Sequence, residues 1–189
     1  YGSAPQFICC SATIANPREH AEKLVGEAFE IIDDDGSSYG GKSFVFWNPP
    51  IMDKAKSTRR SSNSEATFIF TELIRKNIRS LVFTRTRKLA ELICIYSRDH
   101  LGLPLADLIK PYRAGYLPED RRQIEQELFS GKLLGVVATT ALELGIDIGD
   151  LEATVLTGYP GSIASTWQQA GRSGRGGEKS MSFLIAQDN

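Results

Sequence analysis

The stretch Leu81-Val82-Phe83-Thr84-Arg85-Thr86-Arg87-Lys88-Leu89-Ala90-Glu91-Leu92-Ile93-Cys94-Ile95-Tyr96 decides the fold class. Its first three residues are apolar without alternation, too short for a helix and suited to a strand buried on both faces. A hydroxyl and a cation end the run. The apolar residues that follow, Leu89, Leu92, Ile93 and Tyr96, then recur at helical spacing. A buried strand that hands over to an amphipathic helix is one βα unit, the building block of a parallel sheet.

The same alternation extends outward on both sides. Downstream, a strand is expected from Pro111 to Ala114. A helix follows with Pro118, Glu119 and Asp120 at its start, Ile124 and Leu128 on one face and Gly131 past its end. Val136-Val137-Ala138, Ala153 to Leu156 and Ser182 to Ile185 read as further strands, with a helix over Ile163 to Ala170 between the last two. Upstream, Ser43 to Trp47 is a strand closed by Pro49-Pro50, and residues 51–61 read as a mobile surface loop. Ser62 and Glu65 fit a capping box for a helix carrying Ala66, Ile69, Phe70 and Leu73. Near the start, Phe7-Ile8-Cys9-Cys10 and Phe29 to Ile32 have strand character around a helix with Asn16 as N-cap and Pro17 at its first position. Repeated βα units imply an α/β fold, a parallel sheet with helices on both faces. Ligands of such sheets bind at the carboxyl ends of the strands.

At 189 residues the chain holds one full α/β domain and a fragment of another. Its 22 basic residues balance 23 acidic ones, so a nucleic-acid argument must rest on local patches. No apolar run reaches the roughly 20 residues of a membrane span, and no signal peptide is visible. Cys9 and Cys10 lie in an apolar run and read as buried, reduced thiols, which favours an intracellular setting. Neither the cysteines nor His20 and His100 have zinc-site spacing.

One motif match is rejected on physical grounds. Gly36-Ser37-Ser38-Tyr39-Gly40-Gly41-Lys42-Ser43 fits the P-loop pattern letter for letter. A working P-loop starts a helix at its lysine, so that amides and the helix dipole face the phosphates. Here Phe44-Val45-Phe46-Trp47 and a double proline follow, and no helix can be built. Asp33, Asp34 and Asp35 would also repel a triphosphate. Residues 34–43 read instead as an interdomain hinge.

Three segments carry the chemistry. Ser11-Ala12-Thr13 ends a strand and means little alone. Thr139-Thr140-Ala141-Leu142-Glu143-Leu144-Gly145-Ile146-Asp147-Ile148-Gly149 follows a strand with two hydroxyls that can bond a phosphate and an aspartate that can accept from a ribose, although a capped turn with a structural aspartate fits equally. Gln168-Gln169-Ala170-Gly171-Arg172-Ser173-Gly174-Arg175 sets two guanidinium forks three residues apart on glycine-rich backbone, a pattern suited to phosphate oxygens. A solvated basic loop would explain the charge but not the interleaved glycines.

Together these segments resemble motifs III, V and VI of a superfamily 2 helicase, with Leu81 to Arg87 as motif IV. The wording around them, Phe46-Trp47-Asn48-Pro49-Pro50 and Gly158-Tyr159-Pro160-Gly161-Ser162, is similar to the Hrq family of RecQ-related DNA helicases and its bacterial MrfA-type relatives. The resemblance implies a fragment of a first RecA-like lobe over 1–33, the hinge at 34–43, and a second, helicase C-terminal RecA-like lobe over 44–189. It implies ATP and Mg²⁺ held mainly by the absent first lobe, with single-stranded or forked DNA across both lobes. Arg172 and Arg175 would be arginine fingers, with Gln168 a third γ-phosphate contact. Asp147, Gly145 and Gly171 would lie at the nucleotide. Thr84, Arg85, Arg113, Thr139 and Thr140 would grip the nucleic-acid backbone, and Ser11 and Thr13 would couple the lobes. It further implies 3′ to 5′ movement, a full-length ATP-dependent DNA helicase of which this chain alone is inactive, and nuclear residence in a eukaryote. An RNA helicase lobe, and a binding module without motor work, stay open as alternatives. Arg75, Lys76 and Arg79 would extend a phosphate track, and Tyr112, Tyr116 and Trp167 are available for base stacking.

Overall fold

The computed structural model of the chain describes residues 2–11, 14–34, 36, 40–53, 55, 58–143, 148–174 and 177–187. The chain forms two compact units, Tyr1–Ser37 and Ser38–Asn189.

Among its described residues the first unit holds one helix, α1 (Pro17–Val25), which Gly26 closes in the left-handed conformation. Asn16 occupies the N-cap position, but its side chain caps nothing. It donates instead to the Glu19 carboxylate at 2.9 Å, which also takes the Lys23 ammonium. The two strands expected here do not form among the described residues, and Cys9 and Cys10 are exposed rather than buried. A strand exists only through pairing, and the described residues of this unit offer these apolar runs no partner.

The second unit is built on a six-stranded sheet. In chain order its elements are β1 (Lys42–Trp47), a short antiparallel hairpin of β2 (Ile51–Asp53) and β3 (Thr58–Arg59), α2 (Ser62–Arg75), β4 (Ser80–Phe83) and α3 (Arg87–Leu101). Then come β5 (Ile109–Tyr112), α4 (Pro118–Phe129), β6 (Gly135–Ala138), β7 (Ala153–Thr157), α5 (Ile163–Ala170) and β8 (Ser180–Ile185). The strands lie in the order β1-β8-β7-β4-β6-β5, and every pairing is parallel. Lys42 therefore opens an edge strand, not a helix, as the rejected P-loop requires. Where a loop was expected over residues 51–61, the hairpin forms because the Pro49 and Pro50 carbonyls accept from Arg59 and the Arg60 amide.

Alternate strand residues feed two cores. Val82, Val137 and Val155 face α2 and α3, where Phe70, Ile74 and Ile93 cover them. Leu81, Phe83, Val136 and Leu156 face Ile124 and Leu128 of α4. The period of two is the signature of a sheet buried on both faces. Gly135 is required by this packing, since a Cβ there would overlap the Phe70 ring and Ile74.

The start of α2 differs by one residue from the capping box expected at Ser62 and Glu65. Ser61 is the N-cap, accepting from the Ser64 amide. Glu65 is instead buried, paired with Arg60 and accepting from the Trp47 indole at 2.8 Å. A carboxylate is buried only with such partners. Of the α3 face read from the sequence, Ile93 enters the core with Ala90 and Cys94, while Leu89, Leu92 and Tyr96 line a groove against α2. Burial pushes the Cys94 thiol up to about 12, so it is unreactive at neutral pH. No described helix is long and apolar enough to cross a membrane.

α4 is tied to edge strand β5 by Lys110, which holds Glu127 at 2.5 Å. That bond, followed by one from Gln123, lowers the Glu127 carboxyl from 4.5 to about 2. Its folded value lies below its unfolded one, so its contribution is full above the unfolded value and fades as pH falls towards the folded one. Urea unfolding between pH 5 and pH 2.5 should accordingly show a smaller acid loss for Glu127→Gln than for the parent chain; parallel curves would remove this ion pair from the account.

Candidate functional site

Two polar clusters adjoin the segment that follows β6, where the Glu143 amide donates to the Thr140 carbonyl at 2.9 Å. The first crowns the carboxyl ends of the neighbouring strands β4, β6 and β5. Thr84 follows β4; its amide donates to the Ala138 carbonyl, and its hydroxyl donates to the Thr86 carbonyl at 3.1 Å. Thr86 in turn caps α3, accepting from the Leu89 amide. Arg85 is exposed and donates to the Tyr159 carbonyl at 2.6 Å. After β6 come Thr139, nearly buried, and Thr140, exposed at the start of a short 3-10 turn. After β5, Arg113 donates to Glu91 at 2.7 Å and stacks 4.6 Å from the centre of the Tyr116 ring. The Tyr116 hydroxyl shares the same Glu91 oxygen. The Glu91 bond holds the Arg113 guanidinium above its usual range. Burial, reinforced by Glu91, lifts the Tyr116 phenol to about 12. Both groups thus stay protonated donors at neutral pH. The parallel register brings together all five predicted backbone-contact residues, and hydroxyls with cations at strand ends suit phosphate oxygens.

Arg79 and Arg75 are engaged elsewhere. Arg79 precedes β4, a strand about 13 Å long, and Arg85 lies beyond its other end. It donates to the Leu128 carbonyl. Arg75 is engaged by Glu72 and the His100 carbonyl. Among the aromatic residues, Tyr112 is core and donates to Glu125, and Tyr116 is held by Glu91. Trp167 is half exposed against Phe44, with ring centres 5.6 Å apart.

The second cluster joins the segment after β6 to α5 and the turn beyond it. The Glu143 carboxylate accepts from the Ser165 hydroxyl at 2.6 Å and from the Gln169 amide at 2.9 Å. The Glu143 main-chain carbonyl accepts from Arg172 Nε and Nη2 at 3.0 and 2.6 Å. Arg172 is 3% exposed, and a guanidinium is buried only where such acceptors meet it. The turn then runs to the amino ends of the strands, where the Gly174 amide donates to Leu151 just ahead of β7. The arginine-bearing turn therefore lies away from the carboxyl ends where ligand loops were expected, because it closes the crossover that returns to β8. Gln168 is half-buried on α5 and makes no side-chain hydrogen bond among the described residues. Gly171 is exposed at the α5 C-cap. Ser11 is exposed in the first unit. Thr13, Gly145, Asp147 and Arg175 lie outside the described residues.

Glu143, Ser165, Gln169 and Glu91 were given no role from the sequence. Ser165 and Gln169 are spaced i, i+4 on a helix, which places them on one face and was legible. That Glu143 reaches both of them required the fold.

With this geometry in hand, the chain can be set beside known proteins. The model of the helicase conserved C-terminal domain matches residues 65–177. YprA of Bacillus subtilis, an uncharacterized ATP-dependent helicase, is 47% identical over 98% of this chain and 25% of its own length. The ATP-dependent helicase hrq1 of Schizosaccharomyces pombe is 40% identical over 96% of this chain and 18% of its own. The DUF1998 helicase MrfA bound to DNA has a TM-score of 0.94 at 46% identity, covering 100% of this chain and 25% of that one. With DNA and AMPPNP bound, MrfA gives 0.91. The chain belongs to the helicase conserved C-terminal domain family, and its parallel α/β lobe is the RecA-like one. It spans about a quarter or less of the length of these relatives.

Removing the Glu143 carboxylate would leave the buried Gln169 amide without its acceptor, a loss of about 1–3 kcal/mol. Glu143→Ala should reduce the unfolding free energy in urea by that amount, and Glu143→Gln by less, because its amide oxygen still accepts. Equal losses in the two variants would show that the acceptor is not what matters.

Proposed function

We propose that this chain is the second motor lobe of an ATP-dependent DNA helicase or translocase. One observation carries the reading: residues 139–143 run from the strand-end cluster to the carbonyl that accepts from Arg172. They begin with Thr139 and Thr140 in the strand-end phosphate cluster and finish at Glu143, whose carbonyl holds Arg172. A shift at either end is passed to the other through five residues of backbone.

In this reading Thr84, Arg85, Arg113, Thr139 and Thr140 grip the phosphodiester backbone of single-stranded or forked DNA, which sets position without reading bases. The donor types in the sequence of residues 168–175, cationic forks and glycine amides, fit the oxygens of a triphosphate held by a preceding RecA-like lobe of the same polypeptide. ATP with Mg²⁺, bound mainly there, supplies the free energy of movement. Arg172 and Arg175 neutralise charge on the transferring phosphoryl group, and Gln168 contacts it. Gly171 lets the backbone approach, and Gly145 and Asp147 meet the ribose side of the nucleotide. Ser11 and Thr13 relay nucleotide state between lobes, residues 34–43 form the hinge, and lobe closure and release advance the protein along the strand. DNA is favoured over RNA because MrfA, which is 46% identical to this chain, is solved bound to DNA.

In the full-length protein, Arg175→Ala should cut strand-stimulated ATP turnover by about 10³-fold or more while ATP affinity stays within about twofold. Unchanged turnover would refute the finger role. The 189-residue chain by itself should hydrolyse no ATP, and turnover by the pure chain would revive the rejected P-loop.

A further inference from the structure

The lysine of the sham P-loop has a specific partner. Lys42 Nζ donates to the carbonyl of Ala170 at 2.5 Å, across 128 residues of sequence. Ala170 is the last residue of α5 and stands two positions before Arg172. The same carbonyl takes the hydroxyls of Ser173 at 3.3 Å and Ser182 at 3.4 Å. A cation is the donor best suited to the carbonyl end of a helix, where the peptide dipoles leave partial negative charge.

Lys42 does not act alone. Phe44, on the same face of β1, packs its ring against Trp167, one turn earlier on α5. On the far side of the arginine turn, the backbone at Gly40 passes so near the Gly177 and Glu178 carbonyls that a Cβ has no room. Residues 40–44 thus hold the turn from both sides: two side chains on the helix before it and a bare backbone against the strand approach after it.

We infer that Lys42 is a positioning residue for the arginine turn, fixing the carbonyl end of α5 and so the direction in which residues 171–174 leave it. Because it stands where the end of the proposed hinge enters β1, it makes hinge rotation and finger placement one movement. The inference rests on the motor reading above.

The experiment uses the full-length protein with Lys42→Met, which keeps length and loses charge and donor, and Lys42→Arg, which keeps both. Misplacing a catalytic group by about 1 Å costs on the order of 10²-fold. Lys42→Met should therefore lower the kcat of strand-stimulated ATP hydrolysis by about tenfold to a hundredfold, with KM for ATP and strand affinity unchanged within about twofold. Lys42→Arg should recover most of the rate. Hydrogen exchange should quicken at residues 171–174 in Lys42→Met and stay slow in β6. Unchanged exchange at 171–174 overturns the proposal, as does faster exchange with unchanged kcat. Absence of ATP hydrolysis in the parent protein would strike the motor reading instead, and the exchange arm would still decide whether Lys42 holds the turn.

Discussion

The lobe depends on a sheet whose central strands are covered on both faces. β4, β6 and β7 have every residue buried, so no polar chemistry can be carried along their length. Polar function is confined to the strand ends and to the crossovers that join them. That constraint produces the layout: hydroxyls and cations at one end of the sheet, an arginine-bearing turn reached through α5, and a short segment after β6 linking the two.

Glu143 shows how such a link is made rigid. Its carboxylate fixes one face of α5 through Ser165 and Gln169, while its carbonyl holds Arg172. Helix and turn are thereby located by the same residue from two directions. At the carboxyl end of α5, Lys42 and the two serines converge on one carbonyl. An element of eight residues is thus pinned along its length and at its end, so the turn that follows it leaves in a fixed direction.

Much of the lobe was legible because its local signals agree with its global fold. α4 and α5 stand where proline, acidic and apolar spacing put them, and the central strands follow the unbroken apolar runs. The errors have physical causes. Serine follows serine at 61 and 62, and only packing decided that Glu65 goes inward to Arg60 and Trp47, leaving Ser61 as the cap. Cys9 and Cys10 sit in a run that looks like core, but burial needs a partner surface that sequence alone does not supply. Arg75, Lys76 and Arg79 looked continuous with Arg85 because sequence distance hides the strand between them. The partners of Arg172 and Lys42 lie 29 and 128 residues away, beyond any spacing argument.

The sheet ends unequally at its two borders. β5 carries Pro111, which has no amide hydrogen and so spoils that border as a template for another strand. β1 is six residues long with Phe46 79% exposed, and its nearest prolines, Pro49 and Pro50, come only after it has ended. Open, aromatic borders of this kind invite pairing between molecules. A lobe of this sequence handled apart from its neighbours therefore carries its aggregation hazard at β1, and a charged residue in place of Phe46 is the natural gatekeeper for keeping it in solution.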